Sequence, residues 1–468
     1  LLSKRLHAMA RAGDWGGFDT LARYAMFRRG DVPVRLAGEE RPLSEVIEAL
    51  AATRTQNNTG PILDGGPALQ VPAGPYPAFD LELADPHAVT LLQQALANQR
   101  MTALADAVSR PTIAAANGRA YTLCFGQLRA LDPGTGETIW TNGDGQTLAG
   151  QLVGQSHLLR QGYHQSLQLA GDRLVVTAHD PRYIGLVRLR VHDTATGELR
   201  WTTADAGEWT QRSFIGRPAI AGNTLYAVTK EQNGNRLALA ALNLDDGAVQ
   251  WSLDLGQAAI DPDWGEPRRV EPRIAVGDRH VVVLTNNGAL IAIDPNHQEV
   301  AWALTYGILP GPGRNNMLAP DGQPGNLAIQ NGLVLSKDSR DNQLIALRES
   351  DTVRMWSAKI DPGATLVHTD SRHAYLLGDE LVAIDLASGE RAWWTSHHGS
   401  AGLAPAFTAT HALIAGPRRT CRIDLATGKV DGYREDIPAG PTGSPVVLLN
   451  DGVAVVGPTG FRIYETEQ

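Results

Sequence analysis

The chain is 468 residues long, enough for two or three average domains or for one large repeat fold with an appendage. A formal net charge of −9 argues against a broad basic face for nucleic acid and leaves only local pairs such as Arg268–Arg269 and Arg418–Arg419. Glycine (49) and proline (27) are plentiful, which suits many short strands joined by tight turns, and no apolar run approaches the roughly 18 residues of a membrane span.

Residues 1–54 read as a small helical appendage. The chain opens on Leu1 without a secretory leader, which reads as a processed or truncated product. Helical spacing covers 1–30 and 42–54, with Asp14 placed to cap the helix carrying Phe18, Leu21 and Ala25. Ser44 is placed to cap the one carrying Ile47 and Leu50. A helix pair here resembles the end of a tetratricopeptide-like array, and one pair is too little to bury its own core. Residues 55–76, rich in Gly, Pro and Asn, read as a linker. In residues 77–84 apolar Phe79, Leu81 and Leu83 alternate with Asp80 and Glu82, the pattern of a strand. Residues 86–107 come next as an inserted amphipathic helix carrying Val89, Leu92, Leu96 and Met101.

From there a single unit recurs: Leu-x-Ala-x-Asp, a Thr-Gly turn, then Trp eight residues after the Asp. Its clearest copy is Leu128, Ala130, Asp132, Thr135, Gly136 and Trp140. The second has Leu189, Val191, Asp193, Gly197 and Trp201; the third has Leu239, Ala241, Asn243, Gly247 and Trp251. The fourth has Leu290, Ala292, Asp294 and Trp302. The fifth, Leu344, Ala346, Arg348 and Trp356, has lost the turn glycine. The sixth has Leu381, Ala383, Asp385, Gly389 and Trp393. A seventh keeps Asp424, Thr427 and Gly428 but has Gly432 in place of Trp. In an eighth, Phe461, Ile463 and Glu465 take the Leu, Ala and Asp positions, and the chain stops at Gln468.

Each position has a physical reason. Leu and Ala, two apart, share one face of a strand. Asp at the strand end accepts hydrogen bonds from the next backbone N–H groups, and Gly supplies a positive φ. Trp is a flat body for wedging between sheets, so the six tryptophans are expected mostly buried between blades. With a strand pair upstream of each Leu, the unit is a four-stranded blade. The fold class expected is therefore all-β: an eight-bladed β-propeller over residues 77–468 with a small helical N-terminal appendage. Its eight blades lie between about residues 109 and 468. Residues 77–84 supply the outer strand that the last blade lacks.

The unit resembles the PQQ-like repeat shared by quinoprotein alcohol dehydrogenases and BamB-type outer-membrane assembly lipoproteins, over residues 109–465. Resemblance to the dehydrogenases implies a quinone over the central funnel, a calcium held by carboxylate and amide groups, and an adjacent Cys–Cys disulfide. This chain has only Cys124 and Cys421, far apart, read as free thiols in preference to a bridge. No residue set can be carried over, so neither PQQ nor calcium is expected and no catalytic residue is assigned. Resemblance to the non-catalytic branch implies a periplasmic or envelope protein with a protein partner. The competing reading is a quinoprotein-like oxidoreductase, or another enzyme, with its site at the funnel.

The long inter-blade loops are 141–168, 202–215, 252–270 and 303–325. Asp261, Asp263 and Glu266 lack calcium-loop spacing and read as a solvated, locally paired loop. Arg314 with Asn315 and Asn316 has the chemistry to grip a carboxylate, against the plainer reading of a surface crossover. His397–His398 point to opposite sides of an extended chain, so no metal site is assigned. Arg212, Arg268, Arg269, Arg314 and His397 are expected around the mouth of the channel, as a positive spot for an acidic partner.

Overall fold

The Leu-x-Ala-x-Asp stretches form the third strands of four-stranded antiparallel meanders, and the Trp-bearing stretches form the fourth. In this computed structural model the described residues are 33–36, 39–52, 79–82, Thr90, Gln94 and, from 112 to 465, all except 117, 134, 144–164, 181, 205–206, 233–235, 258–271, 286–288, 306–326, 339–341, 362, 397–404, 416–419, 435–445, 449–451 and 457–459. Blade 1 spans residues 112–142, blade 2 166–202, blade 3 212–257, blade 4 273–305, blade 5 327–359, blade 6 365–396 and blade 7 406–434.

The expectation of eight blades between residues 109 and 468 is corrected by this count. Seven complete blades are formed from continuous chain. Beyond blade 7 the described residues contribute three strands, Val446–Leu448, Gly452–Val456 and Gly460–Glu465. Their sheet is a composite across the seam of the ring: Phe79–Glu82 pairs antiparallel with Gly460–Glu465, Phe79 opposite Ile463 and Leu81 opposite Phe461.

Inner strands of successive sheets touch all the way round, which makes the assembly a closed ring. Strand-to-strand contact links blade 1 to blade 2, blades 3 to 6 in turn, and blade 7 through the composite sheet back to blade 1. Gln168 Nε2 donates to the Pro218 carbonyl at 2.9 Å between blades 2 and 3. His368 stacks on Phe407 at 4.3 Å between blades 6 and 7.

The core is a series of slabs, one per inter-blade space. Val187, Leu189 and Val191 of blade 2 pack against Leu225, Ala227, Ala240 and Leu242 of blade 3. The alternate face of the same strands packs on the blade before, as period-two side chains require. Cys124 and Cys421 are buried and form no disulfide, and burial pushes the Cys124 thiol up to about 12.

The repeat turns work as local hydrogen-bond cages. Asp193 Oδ1 accepts the N–H groups of Ala195 and Thr196 at 2.8 and 3.0 Å, and the Gly197 N–H donates to the Asp193 carbonyl at 2.9 Å. Asp132, Asp294, Asp385 and Asp424 make the same kind of turn bond. In blade 5 the turn is rebuilt: Arg348 pairs with Asp351 at 2.7 Å, and Thr352 takes the positive φ.

Five of these turns dock on the tryptophan of the blade before. Trp140, Trp201, Trp302, Trp356 and Trp393 donate their Nε1–H to the carbonyls of Thr194, Leu244, Glu349, Leu386 and Leu425 at 2.8–3.2 Å. Trp251 instead packs against Tyr226, with ring centroids 5.9 Å apart. Of the six, Trp356 is buried, at 9% exposure, and the other five are half-buried. They lie on the outermost strand, where one edge of the ring always meets solvent.

These turns also carry the acid sensitivity of the fold. The Arg200 guanidinium and the turn N–H groups hold the Asp193 carboxyl down to about 2, and His297 with its own turn holds Asp294 to about 2. Thr427 lowers Asp424 in the same way. A folded-state pKa below the unfolded value, about 3.9, gives stability that is complete above that value and lost as pH falls toward the folded pKa. The contribution of these carboxylates to the melting temperature is expected to be complete above about pH 5 and to be lost between about pH 4 and 2. Asp193→Asn is expected to lower the melting temperature modestly at pH 7 and to make the acid drop shallower, as a pH series of thermal melts would record. An unchanged acid drop would count against this turn's contribution.

In the appendage the hairpin Pro33–Leu36 and Glu39–Pro42 precedes the helix Leu43–Ala52, so this segment is not purely helical. Leu43 and Val46 are buried. The helix begins before Ser44, which therefore lies inside its first turn. The proposed helix over 1–30 and the linker 55–76 lie outside the described residues. So does the helix proposed over 86–107, apart from Thr90 and Gln94, both helical and exposed.

Candidate partner face and ring axis

Strand alternation sorts the loops onto two faces. Turns between the first and second strands, and between the third and fourth, share one face with the Asp-Gly cages. The other face carries the second-to-third hairpins and the described strand ends from which the chain crosses from an outer strand to the next inner strand. Arg212 opens the inner strand of blade 3, so it stands at this crossover face. It is locally paired: Nη1 donates to Thr229 Oγ1 at 3.3 Å, and Nη2 lies 3.8 Å from Glu231 Oε1. Arg268, Arg269, Arg314 and His397 lie outside the described residues, so Arg212 alone of the proposed group has a described position.

The crossovers that are described are fastened by cations that sequence reasoning missed. Arg188, on the third strand of blade 2, is 3% exposed at its side chain. Its Nη1 donates to the carbonyls of Trp209 and Arg212 at 2.6 and 2.8 Å. Its Nε lies 3.6 Å from the equally buried Asp180 carboxylate, which Arg182 also meets at 3.3 Å. This holds the crossover 203–211, where Trp209 is buried against Phe214. Lys337 of blade 5 does the same for the crossover into blade 6, donating to the Ala364 carbonyl at 2.8 Å, and burial pulls its pKa down. No sequence motif marks these residues. The one available signal was a charged residue on a stretch otherwise patterned for burial.

A family model described as outer membrane protein assembly factor BamB matches residues 93–357 and 237–393, well over half of the chain. The chain belongs to the BamB-type PQQ-like propeller family. Outer membrane protein assembly factor BamB of Yersinia pestis is 25% identical over 280 residues, 57% of this chain and 61% of that protein. This BamB-family chain thus matches about three fifths of its curated relative's length.

Among solved structures, BamB from Moraxella catarrhalis superposes with a TM-score of 0.51 at 13% identity, over 75% of this chain and 95% of that one. A quinohemoprotein alcohol dehydrogenase from Comamonas testosteroni also gives 0.51, at 14% identity, over 77% and 74%. Both likenesses concern the fold alone. The BamB family and the quinoprotein dehydrogenases share the ring, so function rests on the residues that line it.

Proposed function

We propose that the protein is a non-catalytic scaffold of the bacterial envelope that holds protein partners on its crossover face, in the assembly of outer membrane proteins named for its relatives. The observation that carries this reading is the makeup of the ring wall. The described inner strands, from Thr112–Ala116 round to Val446–Leu448, contain no Asp or Glu. A calcium ion takes about six to eight oxygen ligands, and the absence of carboxylates from these described strands supports a reading without a calcium-held quinone. Among the described residues no group of three or more His, Cys, Asp or Glu side chains is placed to hold a metal ion. At the crossover face the buried Arg188 and Asp180 and the half-buried Lys337 are engaged in fastening loops, which suits a rigid platform.

The test is capture of partners from an envelope extract by the intact protein. Changing Arg212, Arg268, Arg269 and Arg314 together to Glu is expected to reduce capture about tenfold or more at low salt, and less at high salt where the charges are screened. Unchanged capture by a folded variant would overturn the assignment of this face. Alcohol oxidation after addition of quinone and calcium would overturn the scaffold reading itself.

A further inference from the structure

The inner strand of blade 3, Arg212–Ala221, is the longest of the described strands lining the ring, and it does not run straight. Its pairing slips between Ile215 and Ala219, which leaves Gly216, Arg217 and Pro218 as a bulge. Such bulges re-aim a side chain. This one is built from both sides. Gly216 has a φ of 72° and lies so close to the Pro272 carbonyl that a Cβ could not be accommodated. On the other side, the Pro218 carbonyl accepts the 2.9 Å bond from Gln168 of blade 2.

Arg217, at the crest, is exposed although it sits on an inner strand. Desolvation by the surrounding protein lowers its pKa, with no carboxylate acting in the other direction. Among the described residues it has no hydrogen-bond or ion-pair partner. The rest of the described inner-strand wall carries the same sign. Its other full charges are Arg212 and Arg273, on a chain whose net charge is −9. A cation held in a formed bulge, without an acidic partner, on a wall free of carboxylates, is a site arranged for an anion.

We propose that Arg217 forms an anion site on the axis of the ring that takes a carboxylate. The planar guanidinium matches a carboxylate in a bidentate pair, and enclosure by the ring reduces solvent screening of that pair. The carboxylate comes either from a small molecule or from an acidic peptide segment. The site stands on the geometry of blade 3 and is independent of the scaffold reading.

The experiment titrates the whole chain with citrate and, separately, with a hexaglutamate peptide, by calorimetry at low salt. Saturable binding of citrate supports a small-molecule carboxylate; binding of hexaglutamate alone supports a peptide segment. In either case Arg217→Gln is expected to weaken binding about tenfold or more, and Arg217→Lys less. Arg236→Gln, which removes a surface ion pair with Asp254, is expected to bind as wild type does. Because Arg217 is bonded to none of the described residues, Arg217→Gln is expected to melt at the wild-type temperature, so that any loss of binding reports on the site. Absence of saturable binding by either probe, or equal binding by Arg217→Gln, would overturn the proposal.

Discussion

Glu349→Ala is expected to destabilise the protein by about 3–5 kcal/mol, read from the urea unfolding midpoint. Glu349 is 3% exposed and comes directly after Arg348 in the blade 5 turn. The corresponding residues of blades 3, 6 and 7 are Leu244, Leu386 and Leu425, all buried. Here a carboxylate takes that place and reaches into blade 4. Its Oε1 accepts the N–H groups of Arg279 and His280 at 3.1 and 2.9 Å. Its main chain is also engaged: the carbonyl accepts Trp302 Nε1–H at 2.8 Å, and the N–H donates to the Gly332 carbonyl at 2.9 Å. Alanine leaves the two side-chain-bound donors without an acceptor and opens a void between blades. Glu349→Gln keeps an oxygen at Oε1 and is expected to recover most of the loss. Glu349→Leu restores the residue type of the other blades but no acceptor, and is expected to remain destabilised. A loss below about 1 kcal/mol for the alanine variant would show that water replaces the carboxylate.

Gly197→Ala is expected to cost about 3 kcal/mol, although it adds one methyl group to a surface turn. Two penalties combine. The φ of 75° is a left-handed conformation that costs an L-residue about 1–2 kcal/mol. The new Cβ would also stand 2.5 Å from Trp140 Cε3 and 2.7 Å from Cδ2, and such overpacking costs about 1–3 kcal/mol. Moving the indole to make room endangers its 3.2 Å bond to the Thr194 carbonyl and the 3.0 Å bond from Asn142 to the Gly197 carbonyl. Gly222→Ala separates the two penalties. Its φ is 57°, but nothing lies within 4 Å of an added Cβ, so only the backbone cost, about 1 kcal/mol, is expected. Equal losses at the two positions would show that the indole moves aside freely.

Much of the ring is legible in the sequence because a blade is a local object. Asp193, Thr196, Gly197 and Trp201 lie within nine residues, and each answers to a constraint of its own turn or strand. The composite sheet obeys the same logic. Phe79, Leu81 and Glu82 show strand alternation, and a three-stranded sheet presents an edge that a fourth strand must cover. The blade count was not legible in this way, because repeat copies count motifs, while a blade requires four strands. The motif at Phe461–Glu465 belongs to a sheet completed from the other end of the chain.

No local pattern carries the pairing between blades. Trp140 meets Thr194, Arg119 meets the Thr194 and Ala195 carbonyls, and Glu349 meets Arg279, each across at least 50 residues. The same holds for the partial exposure of the tryptophans, which depends on their place at the rim. Gly216, Arg217 and Pro218 lie between these two cases. A glycine and a proline inside a strand pattern signal a bulge. That the bulge turns a cation without an acidic partner toward a wall without carboxylates is decided only when the inner strands close into a ring. By itself, then, the sequence determined the blade, since its turns and alternation are set by neighbours along the chain. The tertiary structure decided which polar groups are buried, which are satisfied and which are left to meet a ligand, because those depend on residues that closure alone brings together.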